Sequence, residues 1–201
     1  GVASLPTFAS KKENLDELKE ILVNTLNTVS IMVGFTAVYL AVLRLPIIRL
    51  VFGAPRFTWE STVLTGYTLG FFALGMIGSI FTSILNRIFF ALQKPVIPVS
   101  ISITCGIMNI ITSYIFVAML GLPVWSLALS FSLNYLLQAG LLFLFVLKVL
   151  DIRINSILTH FLKVAIASFT SGSVMYSVLK FFDRWAWEHK LTLFGYSPIP
   201  V

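Results

Sequence analysis

The chain has 201 residues with a formal net charge of +6; 58% of its residues are hydrophobic and 11% are charged. A soluble domain carries about 25% charged residues, so this composition excludes an ordinary water-soluble fold, and its hydrophobicity excludes intrinsic disorder. The basic residues lie singly at the ends of apolar runs, which is typical of membrane anchors and argues against nucleic acid as a partner.

The first twenty residues precede the first long apolar run. We interpret residues 1–9 as the end of a preceding transmembrane helix, truncated at its N-terminal side. Residues 10–20 include the charged sequence KKENLDELKE and are predicted to be a cytoplasmic connector with one or two amphipathic turns.

Five apolar runs approach or exceed the roughly 20 residues that a membrane-crossing helix needs. The stretch 95–147 contains no charge and is divided by the turn sequence Gly121-Leu122-Pro123. Lys163, near the start of the last run, can extend to the interface. The predicted spans are 21–43, 61–86, 95–120, 124–147 and 157–182, followed by an outer-side tail, truncated at its end, over 183–201.

Each span is expected to be helical because backbone polar groups in lipid must be satisfied within the segment, and the alternation of a barrel strand is absent. The predicted fold class is therefore all-α: a polytopic helical membrane protein with about five full transmembrane helices plus the helix end at the N-terminus. With the first span running outward, eight basic residues lie on the cytoplasmic side and six outside, which favours this orientation weakly. All four tryptophans then fall on the outer side, at Trp59, Trp125, Trp185 and Trp187.

No reactive centre is visible in the spans. All eight carboxylates lie outside them, which argues against an acidic proton relay. The two histidines lack metal-ligand spacing, and the single cysteine, Cys105, excludes a disulfide framework. We therefore expect no metal site and no enzymatic activity.

Neutral polar residues recur at helical spacing within three spans. Ser126, Ser130, Asn134 and Gln138 lie four residues apart and share one face of the fourth span, which should avoid lipid. Similar stripes occupy the third span, at Ser102, Gly106, Asn109 and Ser113, and the second, at Ser79, Thr82, Ser83 and Asn86.

These stripes have two interpretations. They are either helix–helix contacts, in which small residues permit close approach, or the wall of a cavity through which a polar group passes. Asn109, Asn134 and Gln138 are the best cavity candidates because they are the most costly to leave unpaired. Gly66 and Gly70 are expected to allow close packing. Arg87 is either an interfacial anchor or a contact for a lipid phosphate or a gate.

The order of several short motifs resembles the MurJ/MviN family of lipid II flippases, and Asn109 fits its place in that order. The similarity extends over nearly the whole chain. Its motifs are Pro6 in SLPTFAS, Leu45-Pro46-Ile47-Ile48 running to Phe52 and Gly53, Phe57-Thr58, the sequence NRIFFALQK from Asn86 to Lys94 with Pro98, and Leu127-Ala128-Leu129-Ser130.

The resemblance implies a two-lobed transporter related to multidrug and polysaccharide exporters, with a MATE-like fold and alternating access to a central cavity. It assigns residues 21–150 to the C-terminal lobe and 157–182 to an additional helix. Its expected partners are lipid II, membrane lipids and an N-terminal lobe of the same protein outside these residues. Taken with the polar stripes, it gives these substrate-cavity candidates: Arg87, Asn86, Asn109, Ser113, Ser130, Asn134 and Gln138.

The resemblance also bears on ion coupling. Some family members are thought to bind sodium with a carboxylate one turn after the asparagine of this helix, but Ser113 stands at that spacing here. Coupling to sodium, to a proton or to the membrane potential stays open, and no other cofactor is expected.

The function expected from the resemblance is the flipping of lipid II across the bacterial inner membrane for peptidoglycan assembly. Two alternatives stay open. One is a related exporter of polysaccharide units or drugs, which would share fold and composition. The other is a noncatalytic membrane scaffold, whose polar stripes would be filled by helix contacts and leave no accessible cavity.

Overall fold

The computed structural model describes residues 15–52, 58–150 and 154–188. Helices joined by short connections make up these ranges, which contain no strand, and this confirms the predicted fold class. The predicted helix end at 1–9 and the tail beyond residue 188 lie outside the described residues. The helices are α1 (Leu15–Val42), α2 (Arg44–Phe52), α3 (Trp59–Ala91), α4 (Val96–Tyr114, continued by a π-helical segment, Ile115–Met119), α5 (Trp125–Leu150) and α6 (Ile154–Glu188).

Five of the helices in the described part of the chain, all except α2, are long and apolar enough to cross a membrane. This number agrees with the prediction of about five spans. The π-helical segment ends where the Leu120 amide donates to the Ile115 carbonyl over 3.0 Å. Gly121 then adopts a left-handed φ of 61°, which ends the helix without steric cost.

Several boundaries differ from the sequence prediction: α3 continues to Ala91 rather than ending at 86, and α6 continues to Glu188, into the stretch predicted to be an outer-side tail. Helix α1 begins at Leu15, inside the predicted connector, because Leu18, Leu22 and Leu26 extend its apolar stripe backward at four-residue spacing and are all buried. Helix α2 lies in the stretch between the predicted spans 21–43 and 61–86, for which the sequence predicts no helix. Its Pro46 lies in the first turn, where a missing amide proton costs little.

Helix α3 lies at the centre of the bundle. It packs most extensively against α5 and also against α1; α4 packs on α5, and α6 packs on α1. A buried apolar core joins α1, α3 and α5 with the first half of α4. It includes Leu22, Leu85, Phe89, Cys105 and Leu142.

Glycines on α3 set the distance to its neighbours. A Cβ atom on Gly78 would lie 2.6 Å from the Tyr135 carbonyl carbon, and one on Gly75 would lie 2.6 Å from Ser132 Oγ. The Ser132 hydroxyl in turn donates to the Phe71 carbonyl over 2.6 Å. Helices α3 and α5 are therefore in backbone contact, which fixes the relative height of their side chains.

Helix α2 packs along the first turns of α3. A Cβ atom on Gly66 would lie 2.8 Å from Leu45 Cδ2, so this glycine permits the close packing that the sequence predicts. The guanidinium of Arg49 lies over the Trp59 ring at 4.8 Å, and that of Arg44 over a second α3 ring at 5.7 Å. These cation–π contacts hold both arginines beside α3.

Candidate functional site: a polar cleft between three helices

A cleft of about 560 Å³ opens between α3, α4 and α5. Most of the residues that line it carry a hydroxyl or an amide, and all three helices contribute. They are Ser79, Thr82, Ser83 and Asn86 from α3, Ser102, Cys105, Gly106, Asn109 and Ile110 from α4, and Phe131, Asn134, Tyr135 and Gln138 from α5. No lysine, arginine, histidine or carboxylate is among these lining residues.

The polar stripe of α5 is buried along its whole length, as its spacing predicts. Ser126, Ser130, Asn134 and Gln138 are all buried. Different residues of the stripe have different surroundings. Asn134 and Gln138 line the cleft, whereas Ser130 lies one turn before it and contacts α4.

One hydrogen bond joins α5 to α4 at the wall of the cleft. The Gln138 amide nitrogen donates to Ser102 Oγ over 2.7 Å. Asn134 instead donates to the carbonyl of Ser130 on its own helix over 2.9 Å. The Asn134 side chain is therefore oriented by α5 alone and does not tie the helices together.

Two buried polar atoms at the cleft have no hydrogen-bond partner. They are the Thr82 hydroxyl oxygen and the Asn86 side-chain oxygen, one turn apart on α3. Thr82 is only 5% exposed. A buried polar atom without a partner costs free energy, and each of these two oxygens has under 1 Å² of accessible surface.

A second polar group lies beside the cleft and consists of Asn109, Ser113 and Ser130. The Ser113 hydroxyl lies 3.1 Å from Asn109 Oδ1, to which it donates, and 3.0 Å from Ser130 Oγ. Ser130 Oγ also lies 3.4 Å from the Asn109 carbonyl. The oxygens that face one another are thus joined by hydroxyl hydrogen bonds, and the group contains no charged atom.

This hydroxyl–amide group does not fit a resident sodium ion. An ion removed from water needs a compensating charge or a full set of free oxygens. These oxygens accept hydrogen bonds from one another, and the described residues contain no group of three histidine, cysteine or acidic side chains able to hold a metal.

The structure distributes the site residues predicted from sequence over three places. Asn86, Asn109, Asn134 and Gln138 line the cleft. Ser113 and Ser130 lie in the adjacent hydroxyl–amide group, which Asn109 joins to the cleft. Arg87 is half-buried near the end of α3 and is not among the lining residues.

Sequence reasoning did not select Phe131, Tyr135 or Thr82 as site residues. Phe131 and Tyr135 lie one turn apart, with ring centroids separated by 4.4 Å, and both line the cleft. Aromatic residues in an apolar span resemble lipid-facing ones, so only their i, i+4 spacing next to Asn134 could have marked them. Thr82 belonged to a recognised polar stripe, but its unpartnered hydroxyl is a property of the packed bundle.

Helices of membrane length around an uncharged polar cleft are typical of transport proteins that take a polar group into the bilayer. Comparison with protein families then narrows this class. Residues 1–194 match the model of the family described as "Lipid II flippase MurJ", and the chain belongs to this family. The family consists of transporters rather than catalytic enzymes. No curated protein and no solved structure matches the chain.

Proposed function

We propose that this chain forms a large part of the C-terminal lobe of a lipid II flippase in the bacterial inner membrane, together with one additional helix. The substrate would move from the cytoplasmic to the outer leaflet by alternating access of a central cavity. The observation that carries the proposal is the family match over nearly the whole chain. An N-terminal lobe of the same protein would supply the opposing wall of the cavity.

The cleft supports this function on physical grounds. A lipid-linked oligosaccharide has a headgroup whose polar atoms lose their hydrogen bonds to water when they enter hydrocarbon, at a cost of several kcal/mol per group. Asn86, Asn134 and Gln138 offer amide groups on two packed helices that are long and apolar enough to cross a membrane. Such partners lower the barrier to translocation without making or breaking a covalent bond.

The cleft also favours transport over a scaffold role. A scaffold would fill its polar stripes with helix–helix contacts, whereas about 560 Å³ stays open between α3, α4 and α5. A related exporter of other polysaccharides or drugs would share this architecture. A competition assay distinguishes it from a lipid II flippase, because the substrates of such an exporter would compete with lipid II for binding.

We further propose that translocation does not depend on a sodium ion held by Asn109, Ser113 and Ser130. Their mutual hydrogen bonds leave no charged ligand for such an ion. Coupling to a proton or to the membrane potential would then act through other parts of the protein.

Complementation tests the proposed function. The intact protein that carries this chain is expressed in a bacterium depleted of its own lipid II flippase, with membrane insertion checked by immunoblot. We expect restored growth, rod shape and peptidoglycan synthesis. Protein present in the membrane at normal level without any restoration would contradict the lipid II assignment.

A further inference from the structure

We propose that Arg44 and Tyr67 form a binding site for the phosphate of an anionic phospholipid, between α2 and α3 at the end of the bundle that contains Trp59. Binding there requires only that the helices lie in a membrane, so it is independent of the proposed flippase function. The direction of the Arg44 side chain, the neutral groups around it and the apolar surface beside it support the site.

The Arg44 side chain points back along the bundle rather than outward along α2. Its Nη1 donates to the Ala41 carbonyl over 3.1 Å, three residues earlier in the chain. Its guanidinium lies 5.7 Å from the centroid of the Tyr67 ring, and its Cδ lies 3.4 Å from the position of a Cβ atom on Gly70. The side chain is therefore directed along α3, away from the N-terminus of that helix.

This direction places the guanidinium below the headgroup level. Tryptophan side chains prefer the membrane–water interface, and Trp59 is the first residue of α3. Tyr67 lies eight residues further along the same helix, which corresponds to a rise of about 12 Å. Arginines near helix ends usually extend toward the headgroups, whereas the Arg44 guanidinium lies beside the interior of a helix of membrane-crossing length.

The groups described around the Arg44 guanidinium are neutral. A carbonyl oxygen and a tyrosine ring attract a positive charge, but neither is an anion. The bond to Ala41 uses one of the several N–H donors of the guanidinium. A charged side chain among apolar segments is costly unless it has a partner, so this arrangement favours an anion that approaches from the lipid.

The surroundings of Arg44 suit a phospholipid. Arg44 is half-buried and Tyr67 is 48% exposed, so the pair is accessible from outside the bundle. A guanidinium binds phosphate oxygens through parallel N–H donors. Leu74 lies two turns after Tyr67 on the same face of α3 and is 47% exposed, which offers apolar surface to an acyl chain. Phosphatidylglycerol is expected to bind better than phosphatidylcholine, whose ammonium group competes with Arg44 for the phosphate.

Arg44→Gln tests the site because glutamine keeps a polar side chain and removes the guanidinium. The matched control is Arg184→Gln, which removes an exposed arginine near the end of α6. Helix α6 runs parallel to α1, since Asn27 and Tyr39 bond to His160 and Ser171, so Arg184 lies at the same end of the bundle. The intact protein that carries this chain is titrated in detergent with phosphatidylglycerol or phosphatidylcholine of matched acyl chains, and bound lipids are counted by native mass spectrometry.

We expect Arg44→Gln to weaken binding of the first phosphatidylglycerol about tenfold, the loss expected for hydrogen bonds to a charged group. The wild type and Arg184→Gln should bind phosphatidylglycerol equally well and prefer it to phosphatidylcholine. Inorganic phosphate, which has no acyl chains, should not compete.

A second measurement uses the wild type alone and does not depend on the folding of a variant. Phosphatidylglycerol with a photoreactive diazirine near its headgroup is crosslinked to the protein in nanodiscs, and the labelled peptides are identified by mass spectrometry. Labelling should concentrate on α2 and on the part of α3 around Tyr67.

Three results would overturn the site. They are equal binding of phosphatidylglycerol by Arg44→Gln and the wild type, equal binding of the two lipids by the wild type, and photolabelling that avoids both α2 and Tyr67. Competition by inorganic phosphate would also contradict the proposal, because the site would then bind a soluble anion rather than a lipid.

Discussion

Gly78→Ala is the substitution whose effect follows most directly from the geometry of the bundle. The new Cβ atom would lie 2.6 Å from the Tyr135 carbonyl carbon and 2.7 Å from the Leu136 nitrogen. Ordinary van der Waals contacts begin near 3.4 Å. Because both neighbours are backbone atoms, no side-chain rotation relieves the clash, and α3 must move away from α5.

The magnitude comes from a comparison with Gly140→Ala on α5. No atom lies within 4 Å of a Cβ atom at Gly140, so this variant receives only the helix-propensity gain of alanine over glycine, about 1 kcal/mol. Gly78→Ala receives a similar gain and an overpacking cost of about 1–3 kcal/mol. When the free energies of unfolding of the two variants are compared, the helix-propensity gains cancel. The remaining difference is the cost of the clash.

The assay is thermal unfolding of both variants in the same detergent, with the free energy of unfolding compared by denaturant titration. Gly78→Ala should be less stable than Gly140→Ala by about 1–3 kcal/mol. Equal stability of the two variants would refute the backbone contact between α3 and α5.

Three further substitutions have defined outcomes. Ser113→Asp places a carboxylate in the hydroxyl–amide group, so sodium should raise the melting temperature of this variant but not of the wild type in matched potassium and sodium buffers. Gln138→Leu removes the bond to Ser102 and should lower the free energy of unfolding by about 0.6 kcal/mol, with a similar coupling energy in a double-mutant cycle. Trp59→Leu removes the ring beneath Arg49, so amide hydrogen exchange in α2 should accelerate while exchange in α5 stays the same.

Each of these outcomes has a control. Ser113→Asn adds no charge and should give no sodium response; a sodium response in the wild type would contradict the proposed sodium independence. Zero coupling between Gln138 and Ser102 would show that their hydrogen bond does not link α4 and α5. Unchanged exchange in α2 after Trp59→Leu would show that the Arg49 contact does not hold that helix.

The sequence predicts the buried face of α5 well and its partners poorly. Four-residue spacing placed Ser126 and Gln138 on one face, and both are buried there. Spacing describes a single helix, however, and does not determine which neighbour each side chain contacts. Ser130 contacts α4 beside the cleft, whereas Asn134 lines the cleft. This difference depends on the relative height at which α4 and α5 pack.

Helix α2 and the two cleft aromatic residues show two other limits of prediction from the sequence. Helix α2 has nine residues, two arginines and a proline, so neither length nor hydropathy distinguishes it from a loop. It is held by packing on Gly66, which is a tertiary effect. Phe131 and Tyr135 lie in an apolar run where lipid is the default neighbour, and only the position of α3 and α4 turns them toward a cavity.

The central claim is that the polar cleft takes part in moving lipid II, and its most direct test is translocation by the purified intact protein. Fluorescent lipid II is followed across proteoliposomes by quenching from outside, with Asn134→Leu as the cleft variant. Leu133→Ala is the control, since Leu133 is 49% exposed on the same helix and does not line the cleft.

Asn134 bonds only within its own helix, so its loss should leave the packing of α5 on its neighbours intact. The account predicts that the wild type and Leu133→Ala translocate lipid II at similar rates and that Asn134→Leu is several times slower at equal reconstitution. Equal rates for Asn134→Leu and the wild type would contradict the account.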